Sequence, residues 1–160
     1  MKKDRNRSEQ DKPDYSLPRE KILRGRRNFQ RLFEKSTVLN NQSIQFRYRH
    51  YSDPSEGCLI GFIAPKKKIK SAVKRNRVKR LLREVYRVNQ GYFQDLFQHK
   101  NFGFHGVFMA HSDQITYQQV EADMIPLLNT VRKKLVELDK NRLRENDTLV
   151  DNSDNQNPLN

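Results

Sequence analysis

The residues best suited to chemistry form a dense block of positive charge in the middle of the chain. Residues 64–87 contain eleven lysines and arginines and a single acid, Glu84, so this segment carries +10, most of the formal net charge of +13. Guanidinium groups bind phosphate oxygens through paired hydrogen bonds. A nucleic acid is therefore the partner predicted first, ahead of an acidic membrane or an acidic protein.

The same block is predicted to lie on a helix with one apolar and one cationic face. Ser71 can cap a helix over residues 72–89, and Gly91 is a plausible stop. The core-facing residues are expected to be Val78, Leu81, Leu82 and Val85. The opposite side carries Asn76, Lys79, Arg80, Arg83 and Arg87. Like charges at this spacing repel, so an almost acid-free face predicts an external polyanion. Membrane insertion is disfavoured because a small domain needs the apolar face for its core.

The chain offers no set of side chains suited to metal or acid–base catalysis. The four histidines, His50, His99, His105 and His111, lack metal-ligand spacing, and Cys58 is the only cysteine. The acids of the central region are scattered rather than clustered. We therefore expect no catalytic residue and no metal site in the polypeptide alone.

A second cationic surface is predicted on a strand over residues 43–51, where side chains alternate strictly. One side has Ile44, Phe46, Tyr48 and His50, and the other has Gln45, Arg47, Arg49 and Tyr51. An open face of this second kind suits a single RNA strand. An ordinary hydrated sheet face is the alternative.

The remaining periodicity predicts one small α+β domain, a sandwich of helices on a sheet. We expect a short helix over residues 28–35, a strand over 58–64 that is central and pairs with 43–51 as a hairpin, and a strand over 104–110 weakened by Gly106. A last helix follows Thr116, with Pro126 kinking it or displacing its start.

Composition places this domain at residues 19–138. A disordered mixed-charge arm is predicted over residues 1–18 and a flexible, acidic, Asn/Asp-rich tail over 139–160. The longest apolar run has seven residues, far below the roughly 20 that a transmembrane helix needs. The N-terminus also lacks the apolar stretch of a secretory signal, so we expect a cytoplasmic protein.

The order of these motifs resembles that of the bacterial ribonuclease P protein component. The stretch K-K-x-x-x-A-V-x-R-N-R-x-K-R-L-x-R over residues 67–83 is similar to the family's RNR motif. The flanking sequences LRGRRNFQRLFEKS, GFIAPKKK and FMAH…TYQQVEADMIPLL resemble the family's first helix, the strand that leads into the motif, and the last strand and helix. The similarity extends over roughly residues 22–138.

The resemblance implies a mainly antiparallel sheet of about four strands and a left-handed βαβ crossover, contrary to the usual right-handed rule. It implies the accessory subunit of an endoribonuclease that removes the 5′ leader of precursor tRNA, in which the RNA and Mg²⁺ perform the hydrolysis. The implied partners are the catalytic ribonuclease P RNA and precursor tRNA, with no obligate protein partner. A general RNA-binding or ribosome-associated protein remains the alternative.

Site residues also follow from the resemblance. Contacts to the catalytic RNA are expected from Lys67, Lys68, Arg75, Asn76, Arg77, Lys79, Arg80, Arg83 and Arg87. A leader-binding cleft is expected from Phe29, Phe33, Arg47 and Arg49. Lys70 stands where the family usually has glycine, which predicts a different turn or an unusual backbone angle there.

Overall fold

Four strands and four helices make up the fold, which a computed structural model describes over residues 14–153. The helices are α1 (Arg26–Glu34), α2 (Ala72–Asn89), α3 (Gly91–Gln98) and α4 (Tyr117–Ser153). The strands are β1 (Thr37–Asn40), β2 (Ile44–Tyr51), β3 (Cys58–Ile63) and β4 (Gly103–Ala110). Short 3-10 turns lie at Arg19–Lys21 and Pro54–Glu56.

The strands form one mixed sheet in the order β1-β2-β4-β3. The pairs β1/β2 and β2/β4 are antiparallel, whereas β3 and β4 are parallel. The predicted α+β class and the mainly antiparallel sheet are therefore confirmed. The chain crosses from β3 to β4 through α2 and α3, and the left-handedness of this crossover stays a prediction of the resemblance.

Two expectations about strand order are wrong. Strands β2 and β3 do not form a hairpin, because β4 lies between them, and β3 lies at an edge rather than in the centre. Part of the outer edge of β3 is covered by a bridge between Ile22 and Ile60. The two interior strands are β2 and β4. Gly106 of β4 is required there, because a Cβ atom would lie 2.6 Å from Cζ of Phe46.

The two faces of the sheet are covered very differently. Helices α2, α3 and α4 enclose the main core, which contains stacked aromatic rings such as Phe46 and Phe108 with centroids 4.3 Å apart. Helix α1 covers the opposite face through a small cluster whose buried members are Leu23, Leu32 and Val107. Because few buried residues hold α1 against the sheet, polar contacts also stabilise its position.

Helix α2 has the predicted bounds and the predicted cap. The Ser71 hydroxyl accepts a hydrogen bond of 3.4 Å from the Lys74 amide. The residues buried on its inner face are Val78, Leu82, Val85 and Tyr86, while Leu81 is half-buried. Gly91 does not end the helical region. It is the first residue of α3 and follows Gln90, whose backbone angles are helical.

Helix α4 begins at Tyr117, so Pro126 does not displace its start. Thr116 and Gln119 form the predicted reciprocal cap, with hydrogen bonds of 3.1 and 3.3 Å. Residues 139–153 of the predicted flexible tail are helical and continue α4. Extension of an existing helix needs no new nucleus, which explains how a sequence of this composition stays helical.

The N-terminal boundary of the domain lies before residue 19. Arg87 donates a hydrogen bond of 3.2 Å to the carbonyl of Tyr15, and Gln90 donates one of 2.9 Å to the carbonyl of Ser16. We call residues 15–17 the strap, because they lie fixed across the end of α2. The rest of the predicted arm, residues 1–13, and residues 154–160 of the predicted tail lie outside the described residues. Within residues 14–153, none of the helices combines the length and the apolarity needed to cross a membrane.

Candidate nucleic-acid interface

The outer face of α2 presents a row of exposed polar side chains that we call the cationic stripe. Its members are Asn76, Lys79, Arg80 and Arg83. In the described part of the chain these side chains have no hydrogen-bond or salt-bridge partner, and Lys67, just before the helix, shares this property. A polyanion can therefore contact them without first breaking contacts within the protein.

Other bases of the same motif are already bound to the protein. Arg75 donates hydrogen bonds to the carbonyls of Ile69 and Lys70 at 2.9 and 2.8 Å. Arg77 donates to the carbonyls of Asp113 and Ile115 at 3.2 and 3.4 Å. These two arginines hold the loops beside the start of α2 and add positive charge there.

Two further bases of the predicted RNA surface, Arg87 and Lys68, also contact other side chains of the protein. Arg87 pairs with Glu84 at 2.7 Å, and this hydrogen bond raises the pKa of Arg87 and lowers that of Glu84. The Lys68 ammonium lies 3.3 Å from Nδ1 of His111. Lys70 needs no unusual backbone, since Lys100 is the only non-glycine residue of the described ranges with a positive φ.

The second surface lies between α1 and β2, and we call it the cleft. Phe33 is 41% exposed, and the Arg47 guanidinium lies 5.2 Å from the centre of its ring. Arg47 also donates to the Gln45 side chain at 2.9 Å. This arrangement places an accessible aromatic ring next to a cation, the combination that binds a single-stranded nucleotide.

The other aromatic residue of the predicted cleft has a different position. Phe29 is half-buried and packs in the small cluster under α1. A Cβ atom added to Gly61 would lie 3.3 Å from its ring. The structure therefore brings Phe33 and Arg47 together at an accessible surface, whereas Phe29 supports α1 from below.

Beside the cleft lies a polar cluster between α1, β2 and the Pro54–Glu56 turn that the sequence did not reveal, and we call it the α1 clasp. Arg31 forms two hydrogen bonds with the Glu56 carboxylate, at 3.0 and 2.9 Å. The guanidinium groups of Arg31 and Arg49 lie 4.9 and 4.7 Å from the centre of the buried Tyr51 ring. His105 completes the clasp, with Nε2 2.9 Å from the Glu56 carbonyl oxygen.

The electrostatics of the clasp keep its main pair ionised. The hydrogen bond from Arg31 lowers the pKa of Glu56, against a smaller opposing effect of burial, and it raises the pKa of Arg31.

The cationic strand face predicted for β2 is not open, because Arg47 and Arg49 are half-buried and Tyr51 is buried. Sequence reasoning missed the main pair of the clasp because Arg31 and Glu56 lie 25 positions apart and no local pattern links them.

The two surfaces present side chains of the kinds that bind phosphate and stack on bases. Residues 14–153 contain no group of three or more histidine, cysteine, aspartate or glutamate side chains placed to hold a metal ion.

Solved structures of two bacterial proteins have the same fold. The RNase P protein of Staphylococcus aureus superposes with a TM-score of 0.53 at 18% identity, covering 69% of this chain and 94% of that one. The RNase P protein of Thermotoga maritima superposes with a TM-score of 0.50 at 25% identity, covering 67% and 94%.

Sequence comparison also finds ribonuclease P protein components. The ribonuclease P protein component of Pelotomaculum thermopropionicum is 44% identical over 73 residues, which are 44% of this chain but only 58% of that protein. The Porphyromonas gingivalis protein is 43% identical over 60 residues, 44% of its length. This chain thus matches less than two thirds of either protein. The Chlorobaculum tepidum protein matches more fully, at 32% identity over 80% of this chain and 83% of its own.

The family described as Ribonuclease P matches residues 17–132, a range that contains the cleft, the clasp and the cationic stripe. The resemblance inferred from the RNR motif is thereby confirmed. The chain belongs to the ribonuclease P protein family.

Proposed function

We propose that this protein is the RNA-binding subunit of a ribonuclease P, a ribonucleoprotein that removes the 5′ leader from precursor tRNA in the cytoplasm. The observation that carries the proposal is the cationic stripe. Its three bases, Lys79, Arg80 and Arg83, project from a helix whose other face is buried in the core. Family membership favours the catalytic ribonuclease P RNA as the polyanion that binds there.

The stripe suits a structured RNA because its positions are rigid. Residues at i, i+1 and i+4 of one helix have Cα atoms at fixed separations, so the helix defines the spacing at which the three side chains can meet phosphates. Side chains without internal partners lose no protein contacts when they bind. The bound bases of the motif, Arg75 and Arg77, keep the helix start and its neighbouring loops in place.

The cleft is the proposed site for the leader. A leader is single-stranded, and single strands are bound by base stacking on aromatic rings together with cationic contacts to the backbone. Phe33 supplies the ring, and Arg47 and Arg49 supply the cations. Mature tRNA has no leader, so this contact would favour the precursor over the product.

The protein's part in the reaction is to bind and orient. With no metal-holding cluster in the described residues, Mg²⁺ is proposed to be held mainly by the RNA subunit, where it would supply the hydrolytic chemistry. The lysines and arginines of the stripe reduce phosphate repulsion between the two RNAs. This should lower the Mg²⁺ concentration at which the complex is active.

The decisive experiment is cleavage of a labelled precursor tRNA by the cognate catalytic RNA at low Mg²⁺, with and without the protein, and by the protein alone. We expect stimulation only in the mixture. Cleavage by the protein alone would reveal a catalytic site in the polypeptide. Absence of stimulation would favour the general RNA-binding function instead.

A variant separates the cleft from general RNA binding. Phe33→Ala is expected to weaken precursor tRNA binding to the holoenzyme by about 1–3 kcal/mol, roughly 5- to 150-fold in affinity, and to leave mature tRNA binding unchanged. Tyr15→Ala is a matched control, because Tyr15 is also exposed, at 44%, and its interaction with Arg87 uses only the backbone carbonyl. Equal losses on both RNAs would contradict the leader assignment.

A further inference from the structure

A cavity of about 510 Å³ opens at the edge of the sheet formed by β3, and we call it the edge cavity. Its apolar lining includes Leu17, Cys58, Ile60, Tyr86, Phe97 and Phe102. Its volume lies in the range of roughly 300–1,000 Å³ that is usual for small-molecule sites. None of the residues assigned above to the cationic stripe, the cleft or the clasp lines it, so its role is separate from the proposed RNA contacts.

The polarity of the edge cavity changes from its interior to its mouth. Ile60 and Tyr86 are buried, at 1% and 3% exposure, and the inner wall is mainly apolar, with the buried Gln90 as a polar member. Lys21 and Lys100 also line the cavity but are exposed, which places their charges at the mouth. In the described ranges neither lysine has an acidic partner within salt-bridge distance. Glu20 is the only acid of the lining, so the mouth has a net positive charge.

Lys100 occupies a backbone position that lysine disfavours. Its φ of +51° is left-handed, and its amide donates a hydrogen bond of 3.3 Å to the carbonyl of Phe97, which closes the end of α3. Glycine or asparagine normally takes this place after a helix. The backbone therefore does not favour lysine at this position, and its exposed side chain lines the cavity.

We propose that the edge cavity binds an amphiphilic carboxylate, with its apolar chain among the interior side chains and its carboxylate between Lys21 and Lys100. The charge of the mouth selects the anion. A cationic amphiphile would meet like charges, and a neutral one would leave both ammonium groups without a partner. The ligand would also contact Leu17, so its binding would stabilise the strap across the end of α2.

The single cysteine of the chain offers a direct readout of this site. Cys58 lines the cavity and is half-buried, and burial raises the pKa of its thiol to about 11. At mildly alkaline pH a small fraction is thiolate, which reacts slowly with a thiol reagent. A ligand in the cavity shields the sulfur, so the reaction rate measures occupancy without any labelling site being introduced.

The experiment compares three amphiphiles of equal chain length, each below its micelle concentration, on the full chain. Decanoate is expected to slow modification of Cys58 saturably by at least about fivefold, whereas decanol and decylamine change it by less than about twofold, because only the carboxylate pairs with the lysines. Equal protection by all three, or none by decanoate, would overturn the proposal.

Two variants test the lysines. Lys100→Gly should raise the melting temperature, because it removes the left-handed strain, and should weaken decanoate protection by about tenfold. Loss of binding in a stabilised variant cannot be attributed to unfolding. Lys21→Met should weaken protection similarly, whereas Lys133→Met on the exposed side of α4 should not. Unchanged decanoate affinity in Lys100→Gly, or an equal loss in the Lys133 control, would refute the assignment.

Discussion

Replacing Lys79, Arg80 and Arg83 of the cationic stripe with alanine should change the salt dependence of RNA binding by a calculable amount. All three side chains are exposed and have no partner in the described structure. If each neutralises one phosphate, the slope of log K against log salt should fall by about 0.7–0.9 per residue, or roughly 2–3 in total. Between 50 and 200 mM salt the wild type should therefore lose roughly 20- to 40-fold more affinity than the variant.

Stability should hardly respond to this change. Surface substitutions without contacts usually alter the free energy of unfolding by no more than about 0.5 kcal/mol, and the removed charges repelled one another. Arg75→Ala, in the same motif, should behave differently. It removes two hydrogen bonds to loop carbonyls and should cost about 1–3 kcal/mol of unfolding free energy.

The assay is equilibrium binding of the catalytic RNA over a salt series at fixed Mg²⁺, with urea unfolding of each variant. The matched control is alanine at Lys133, Lys134 and Lys140, three exposed bases of α4 whose removal changes the net charge equally. An unchanged slope in the stripe variant would show that these three side chains do not contact phosphates of the RNA. An equal fall in the α4 control would show that net charge, rather than the stripe, drives binding.

Three further predictions concern the clasp and the main core. Glu56→Gln should increase hydrogen exchange in α1 and raise the KM for precursor tRNA, since Arg31 loses its ionised partner. Because the pKa of Glu56 is lowered in the fold, its contribution to wild-type stability should start to decline as the pH falls below about 4.5 and be lost once the pH passes below the lowered pKa; a variant with the same acid sensitivity would refute this. Gly106→Ala should lower the free energy of unfolding by about 1–3 kcal/mol, because the new Cβ would meet the Phe46 ring at 2.6 Å; an unchanged urea midpoint would contradict the packing. Burial, and then the charge of Arg142, lowers the pKa of His50, so stability should fall as the pH drops below about 6.5, where only the unfolded state gains the proton. His50→Phe should flatten this dependence in urea titrations, and equal slopes would show that another group titrates.

Local patterns in the sequence determined the elements that carry the proposed function. The bounds and both faces of α2 followed from helical periodicity and the Ser71 cap, because a helix is built from contacts three and four residues apart. The alternation in β2 correctly separated Phe46 from Arg47 for the same local reason. The RNR motif was sufficient to indicate the family.

The tertiary structure alone decided the order of the strands and which side chains remain available. Strand β4 lies between β2 and β3, and its Gly106 leaves room for the Phe46 ring, a contact between positions 60 residues apart that no local pattern encodes. The sequence likewise does not distinguish Arg75 from Arg80 as a possible RNA contact, but only Arg75 lies within hydrogen-bond distance of loop carbonyls. Residue type sets what a side chain can bind, whereas long-range packing decides which partner is close enough to bind it first.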